Sequence, residues 1–499
     1  MSRQKDMKRE AGILLPIASL PSKYGIGCFS KEAYEFVDKL KASGQKYWQI
    51  LPLGPTGYGD SPYQSFSTFA GNPYFIDPDD LVKRGYIRSE DCKAYDFGAD
   101  EQCIDYGKIY AARFALLKKA FINSKIEEDD KFRNFVKASA YWLEDYAMFM
   151  AIKDANKSEC FIKWDEGIRL RDKAAMAKYA EDLKEEIQFY RFQQYIFTDE
   201  WHRLKKYANT NGIKIIGDIP IYVAFDSADA WSNPELFQFD TDGTPLAVAG
   251  CPPDAFAATG QLWGNPLYKW DYHASTGYEW WIQRLRYAFE LYDVVRIDHF
   301  RGFDEYYSIP YGDKTAENGH WESGPGYAFF KTVKKCLGVK QVIAEDLGYL
   351  TPSVINLVKK TGYPGMKILQ FAFDSREESN YLPYNYTANC VVYTGTHDND
   401  TTRHWYDVIS SADRKLCREY LGIHRNVGEK VADSMVRAAL GSVAKMCIIP
   451  IQDYLNLGGE ARINCPSTLG HNWTWRLSKD MFDNINTEYI ATLTRVFGR

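Results

Sequence analysis

Eight short runs of apolar, mostly β-branched residues recur along the chain, and most of them end in Gly, Pro, Asp or Asn. They cover 12–17, 47–53, 213–221, 293–300, 341–347, 366–373, 390–396 and 446–453. Runs of this kind are typical of parallel strands that are buried on both faces. Between them, segments 30–43 and 278–292 carry apolar or aromatic residues at every third or fourth position, which predicts amphipathic helices.

Strands that alternate with helices indicate an α/β protein, and eight of them favour a (β/α)8 TIM barrel. A doubly wound sheet is the alternative, because the sequence does not give the strand order. The helix between the sixth and seventh runs is the weakest part of this prediction, since segment 374–389 is rich in Pro, Asn and Tyr.

The gap between the second and third runs is too long for one crossover connection. Residues 80–205 are charged, and Phe135, Trp142, Tyr146 and Phe149 recur at helical spacing. We expect this segment to be a helical insertion subdomain within a single catalytic barrel domain that spans residues 1–499, with further insertions in other loops.

Acidic residues close five of the eight predicted strands. A single Asp at a strand end is usually a helix cap, but five of them at the ends where TIM barrels carry their chemistry indicate a site. In the fourth run Arg296 and Asp298 are two residues apart, so their side chains are expected on one face. The acidic residues are Asp218, Asp298, the pair Glu345 and Asp346, Asp398 and Asp453. Asp346 and Asp453 can also be caps or supporting groups.

Two kinds of chemistry use carboxylates in this arrangement. Asp and His clusters at a barrel mouth bind divalent metal ions in many hydrolases, but barrels of the amidohydrolase type have His-x-His after the first strand, where this chain reads Leu15-Pro16-Ile17. Glycoside chemistry needs one carboxylate that attacks the anomeric carbon and a second group that protonates the leaving oxygen.

Composition and charge exclude some classes of binding partner and indicate where the protein is located. The net charge is −5 and no basic block stands out, which argues against nucleic acid and anionic membranes. No apolar stretch is long enough to span a bilayer, and the run Ala11–Leu20 is interpreted as a first strand rather than a signal peptide. Ten scattered cysteines without a Cys-x-x-Cys pair favour a reduced, cytoplasmic location. Aromatic residues make up 15% of the chain, enough for a large core and for stacking on sugars.

Several longer motifs resemble the α-amylase superfamily and, more narrowly, the amylomaltase or 4-α-glucanotransferase (disproportionating enzyme) family. They occur in the same order as in that family and extend over nearly the whole chain. The most specific are SLPSKYGIG (19–27), GYGDSPYQSFSTFAGNPYFID (57–77), GDIPIYVAFDSADAW (217–231), PPDAFAATGQLWGNPLY (252–268), VRIDHFRGF (295–303), AEDLG (344–348), GTHDNDT (395–401) and NCPSTLGHNWTWR (464–476).

The resemblance implies roles for individual residues. Asp298 corresponds to the nucleophile, Glu345 to the acid/base and Asp398 to the residue that stabilises the charged transition state. The implied substrate contacts and supporting residues are Tyr58, Tyr63, Asp218, Phe256, Trp263, Arg296, His397 and Asn464. His299 is expected to point away from Asp298 and to be a packing residue.

The implied reaction cleaves an α-1,4-glucan donor and transfers the segment to glucose or a maltooligosaccharide, with retention and without a cofactor or metal. Retention by double displacement predicts about 5 to 5.5 Å between the carboxylates of Asp298 and Glu345, and a pKa of Glu345 above the ordinary value. A retaining α-1,4-glucan hydrolase with the same trio is the alternative, because this chain has Ala255 where some relatives have a bulky aromatic. A non-catalytic glucan-binding protein is a weaker third hypothesis, because the trio is intact.

Overall fold

The computed structural model describes residues 8–499 apart from 58, 254–256, 349, 426 and 469. In that part of the chain there are twelve strands. They are β1 (Glu10–Leu14), β2 (Tyr47–Gln49), β3 (Lys214–Pro220), β4 (Ala247–Cys251), β5 (Gln261–Pro266), β6 (Val294–Asp298), β7 (Glu305–Pro310), β8 (His320–Ser323), β9 (Val342–Ala344), β10 (Gly365–Ile368), β11 (Cys390–Tyr393) and β12 (Met446–Pro450).

Eight parallel strands close into a barrel in the order β1-β12-β11-β10-β9-β6-β3-β2. Each of the eight apolar runs overlaps one of these strands, so the predicted (β/α)8 barrel is confirmed and the doubly wound alternative is wrong. The strands are apolar throughout because both faces are covered: every residue of β2, β9 and β11 is buried.

Helices surround the barrel. The predicted helical segments 30–43 and 278–292 are α1 (Lys31–Ala42) and α11 (Glu279–Leu291). After α1 the helices are α2 (Pro78–Lys83), α3 (Ser89–Lys93), α4 (Tyr106–Ser124), α5 (Asp130–Ala155), α6 (Glu166–Arg169), α7 (Lys173–Asp182), α8 (Lys184–Thr210), α9 (Ala228–Ser232), α10 (Trp270–Ser275), α11 (Glu279–Leu291), α12 (Gly326–Leu337), α13 (Pro352–Thr361), α14 (Thr402–Val408), α15 (Ser411–Leu421), α16 (Val427–Gly441), α17 (Ile451–Tyr454), α18 (Lys479–Asp483) and α19 (Thr487–Val496). Segment 374–389 holds only a short 3-10 turn at Pro383–Asn385. No helix in the described ranges has the length and apolar character needed to cross a membrane.

The segment between β2 and β3 is helical, as the spacing predicts. Its helices run from Pro78 to Thr210, slightly beyond the expected 80–205. Trp142, Tyr146 and Phe149 are buried, and Phe135 packs on Tyr195. The division of the chain into one catalytic domain with an insertion subdomain stays a prediction.

A second sheet contains the other four strands in the order β5-β4-β7-β8, all antiparallel. Strands β4 and β5 lie in the connection after β3, and β7 and β8 lie in the connection after β6. The sheet therefore belongs to the loops that follow the carboxyl ends of two barrel strands. The sequence predicts further loop insertions but not a sheet in them, because β4 and β5 are interrupted by glycine and β8 has four residues.

Strand register brings the acidic strand ends together. Between β3 and β6, Asp218 pairs with Arg296 and Pro220 with Asp298. Between β6 and β9, Ile297 pairs with Ala344, the residue before Glu345. The ends of three neighbouring strands thus meet at one level of the barrel mouth.

Candidate active site

Arg296 is the centre of a buried charge cluster at the barrel mouth. Its Nη1 lies 2.5 Å from Oδ2 of Asp218, and its Nη2 lies 2.9 Å from Oδ1 of Asp298. The hydroxyl of Tyr63 donates to the same Asp218 oxygen at 2.8 Å. Arg296 is 3% exposed and Asp298 is 27% exposed. One guanidinium therefore holds two carboxylates, and the carboxylate nearer to solvent is Asp298.

Glu345 follows β9 and is held by main-chain groups. Its Oε2 accepts from the backbone N–H of His299 at 2.7 Å, and its Oε1 accepts from that of Leu347 at 2.8 Å. His299 follows β6 in the left-handed region, with φ of 50°. This conformation ends the strand directly after Asp298 and aims the N–H of His299 at Glu345, so the two acidic strand ends are linked through one peptide group.

Asp398 lies on the β11 side of the mouth. Its Oδ2 is 3.3 Å from Nε2 of His397, and its Oδ1 accepts from Nδ2 of Asn464 at 2.7 Å. The ring of His397 stacks on Tyr63 with centroids 5.2 Å apart and planes at 16°. Trp473 packs on the Tyr63 ring at 5.8 Å. Aromatic rings therefore form a wall beside Asp398.

The carboxylates differ in their protonation. Burial and the charge of Asp298 raise the pKa of Glu345 to about 7. Burial raises the pKa of Asp298 to about 6, against the opposing effect of Arg296. Each charge acts on the other, so the two groups titrate together. Because Arg296 contacts Asp298, Asp298 loses its proton first and Glu345 keeps one.

Asp398 stays ionised. Burial alone would raise its pKa, but the charge and hydrogen bond of His397 and the amide of Asn464 lower it below the ordinary value. His397 in turn loses basicity through burial, but the carboxylate of Asp398 outweighs that effect and raises the pKa of His397. The mouth thus combines a stable anion, an anion held by arginine and a protonated acid.

Trp263 forms a second aromatic wall, beside the turn that carries His299. Its ring meets the ring of His299 edge-on, with centroids 4.8 Å apart, and its Nε1 donates to Oε1 of Gln261 at 3.1 Å. Trp263 comes from β5 of the second sheet, whereas Tyr63 comes from the loop after β2. Aromatic rings from two separate loops therefore flank the site, and the buried carboxylate cluster forms its floor.

Comparison with known proteins gives a full-length match. The family model described as 4-alpha-glucanotransferase matches residues 15–481. The chain belongs to the 4-alpha-glucanotransferase family. It is 49% identical to a 4-alpha-glucanotransferase of Clostridium butyricum, over 97% of this chain and 99% of the relative. It is 47% identical to the enzyme of Thermus thermophilus, over 95% of both chains.

Solved structures agree with this membership. An amylomaltase from Streptococcus agalactiae, solved in complex with acarbose, is 40% identical, has a TM-score of 0.95 and is matched over 99% of this chain and 100% of that chain. The amylomaltase of Corynebacterium glutamicum shares the fold at 19% identity, with a TM-score of 0.76, over 97% of this chain and 75% of that chain. The resemblance to the amylomaltase family and the function predicted from it are confirmed at the level of the family.

The structure brings together most of the residues expected in a 4-alpha-glucanotransferase site. The contacts above join Asp298, Glu345 and Asp398 with Tyr63, Asp218, Trp263, Arg296, His397 and Asn464. The expected Tyr58 and Phe256, with Ala255, lie outside the described residues. The ring of His299 packs against Trp263 and Tyr222, and its Nε2 is buried without a hydrogen-bond partner among the described residues. That it is only a packing residue stays a prediction.

Other acidic strand ends have supporting contacts. Oδ1 of Asp346 accepts from the N–H of Met366 at 2.7 Å, which fixes the start of β10. Asp453 accepts from the N–H of Thr402 at 3.0 Å and from its hydroxyl at 2.7 Å. Sequence reasoning missed Arg462, whose Nη2 donates to the carbonyl of Asp398 at 3.2 Å. Its only sequence signal is a basic residue just before NCPST.

Proposed function

We propose that this chain transfers α-1,4-glucan segments from a glucan donor to glucose or a maltooligosaccharide, by a retaining double displacement. Asp298 is the nucleophile, Glu345 the acid/base and Asp398 the residue that stabilises the charged transition state. The observation that carries this proposal is the difference in protonation: Arg296 holds Asp298 as an anion, while Glu345, which accepts from two main-chain N–H groups, has a pKa of about 7.

In the first step a carboxylate oxygen of Asp298 forms a bond to the anomeric carbon of the donor. The bond from that carbon to the glycosidic oxygen breaks, and Glu345 gives its proton to the departing oxygen. Positive charge develops on the sugar ring, and the anion of Asp398 stabilises it. For this geometry we expect about 5 to 5.5 Å between the carboxylates of Asp298 and Glu345.

In the second step the 4-hydroxyl of the acceptor attacks the same carbon, the ester to Asp298 breaks, and Glu345 takes the hydroxyl proton. Transfer requires that the acceptor reach the ester before water does, which depends on positioning and exclusion of solvent. The aromatic walls formed by Tyr63 with Trp473 and by Trp263 supply surfaces for sugar rings.

Two polar atoms at the floor support a hydroxyl-rich ligand. Oδ1 of Asp218 and Nδ1 of His397 are buried and have no hydrogen-bond partner among the described residues. Buried polar groups are normally paired. Sugar hydroxyls in the donor site would pair with both.

Incubation with maltotriose tests the proposal. We expect free glucose and a ladder of longer maltooligosaccharides while total reducing ends stay constant. The Asp298→Ala variant is the inactive control and should leave the maltotriose unconverted. A rise in reducing ends without longer products would show the alternative, a retaining α-1,4-glucan hydrolase with the same trio. A chelator should leave the rate unchanged, because no described group of three or more His, Cys, Asp or Glu side chains is arranged to hold a metal ion.

A cytoplasmic location belongs to the same proposal. Cys28, Cys390 and Cys447 are thiols buried in the core, as is usual in a reducing compartment. Fractionation of the source cells, with activity in the cytoplasmic fraction, is the expected result.

A further inference from the structure

We propose that Trp321, at the rim of the second sheet, is a binding platform for the part of an α-glucan acceptor that extends beyond the catalytic cleft. The inference rests on the proposed function, because it takes the side of Glu345 as the acceptor side. It adds a subsite that favours long acceptors over glucose.

The direction of the acceptor follows from Glu345. A general acid must lie beside the oxygen that it protonates, so the departing sugar, and later the incoming one, occupies the side of the cleft next to Glu345. The group that holds Oε2 of Glu345 is the N–H of His299. The ring of His299 packs on Trp263 at 4.8 Å. The acceptor path therefore begins beside Trp263, next to the turn whose N–H holds Glu345.

The turn after His299 also contacts Trp321. Two residues after His299, within the 3-10 turn Phe300–Phe303, Arg301 places its guanidinium 4.0 Å over the centre of the Trp321 ring. Strand β7 follows this turn, and its Tyr307 pairs with Trp321 of β8. One short segment thus connects the group that binds Glu345 with the rim of the sheet.

Trp321 has the features of a platform. It is 38% exposed, although tryptophan is usually a core residue. Arg301 covers one face of its ring, and Tyr307 meets it edge-on with centroids 5.2 Å apart and planes at 64°. With these two neighbours in place, part of the ring remains open to solvent. Because Arg301 and Tyr307 already hold the ring in place, it loses little conformational freedom when a sugar stacks on its open part.

Sugar rings suit this surface because the C–H faces of a glucose unit pack on flat aromatic rings while its hydroxyls stay in water. An α-glucan is also the ligand that the neighbouring cleft is expected to hold, and the segment from His299 to Arg301 links that cleft to Trp321. Because the proposal places Trp321 beyond the catalytic cleft, it implies that a maltooligosaccharide gains this contact and free glucose does not.

Binding can be measured without turnover in the Asp298→Ala background. By calorimetry with maltoheptaose, we expect Trp321→Ala to weaken the Kd about fivefold, the scale of one aromatic stacking contact. Trp321→Phe should restore most of the affinity. Tyr141→Ala is the matched control, since Tyr141 is 51% exposed and lies on α5 in the helical segment; it should leave the Kd unchanged.

In the otherwise unchanged enzyme, the loss caused by Trp321→Ala should grow with acceptor length, with the KM for glucose affected least and that for maltoheptaose raised about fivefold. A Kd for maltoheptaose equal to that of the parent would overturn the proposal, as would equal losses for glucose and maltoheptaose. Failure of the proposed function is a separate result: the chain would then not disproportionate maltotriose, while calorimetry would still report the contribution of Trp321.

Discussion

Two clusters of aspartate and arginine lie in different parts of the molecule. In the helical segment, Asp80 on α2 accepts from Nε of Arg84 at 2.7 Å and from Nη2 of Arg203 on α8 at 2.7 Å. At the barrel mouth the ratio of arginine to aspartate is reversed, because one arginine, Arg296, contacts both Asp218 and Asp298.

The electrostatic result differs accordingly. Burial would raise the pKa of Asp80, but the hydrogen bonds from Arg203 and Arg84 lower it below the ordinary value. Burial raises the pKa of Asp298 to about 6, and Arg296 does not fully offset this effect. Buried acid in excess of buried base is costly to retain unless a reaction uses it. The ratio of acidic to basic side chains, rather than the residue types, therefore distinguishes the candidate site from a structural ion pair.

The largest expected effect is that of Asp298→Ala. Removing the nucleophile should lower kcat by about 10⁴-fold or more, while binding of maltooligosaccharides survives. The measurement is the rate of maltotriose disproportionation together with calorimetric binding. Asp80→Ala is the matched control and should keep the wild-type kcat. Normal turnover by Asp298→Ala would refute the assigned nucleophile.

Next in size is Glu345→Gln, which keeps the shape but cannot donate a proton. We expect kcat on maltooligosaccharides to fall by about 10²- to 10⁴-fold, the usual contribution of a general acid. An α-glucoside whose leaving group needs no protonation should be affected far less in the first step. Equal losses on the two substrates would contradict the acid role.

Arg296→Met tests the same cluster through stability. The substitution leaves Asp218 and Asp298 buried without their cation, so we expect the free energy of unfolding to fall by about 3 to 5 kcal/mol. Denaturant titration measures this loss, and Arg376→Met, which removes an exposed partner of Asp374, is the control expected to change little. A loss below about 1 kcal/mol for Arg296→Met is the range of surface ion pairs. It would show that Asp218 and Asp298 do not depend on the charge of Arg296.

Asp80→Ala should have a smaller effect on stability, about 1 to 3 kcal/mol, because two arginines lose a charged partner but remain near water. The lowered pKa of Asp80 means that its contribution is present above the unfolded pKa and is lost as pH falls toward the folded value. The stability difference from wild type should therefore shrink below about pH 4. A difference that does not depend on pH would argue against a charge effect.

The pH dependence of kcat/KM is the finest test. Below about pH 6, Asp298 gains a proton and cannot attack; above about pH 7, Glu345 loses the proton that it must donate. We expect a bell-shaped profile with a narrow maximum between these values. Glu345→Gln should lose the alkaline limb only. An alkaline limb that persists in this variant would assign it to another group.

Much of the barrel could be predicted because parallel strands that are buried on both faces leave continuous apolar runs. The position of Asp218, Arg296 and Asp298 at strand ends followed from the same pattern and from family motifs, whereas the pairing of their two strands came from the structure. The second sheet could not be predicted in this way, since β4 and β8 are short and the pairing of β4 with β7 links two loops that are distant in sequence.

The support of Glu345 was also beyond sequence reasoning. It depends on a main-chain N–H, that of His299, and on a left-handed φ at a non-glycine residue. Any residue type has an N–H, so the spacing of side chains gives no signal for it. The same holds for Arg462, which contacts a carbonyl rather than a side chain of Asp398.

The central claim is that Asp298 forms a covalent bond to the donor sugar while Glu345 acts first as the general acid and then as the general base. It is tested most directly by mass spectrometry of Glu345→Gln after reaction with an α-glucoside that carries a good leaving group. Without a general base the second step slows, so we predict a glycosyl adduct on the peptide that contains Asp298. An adduct on a different residue, or turnover of the glucoside with no adduct at any time, would contradict the account.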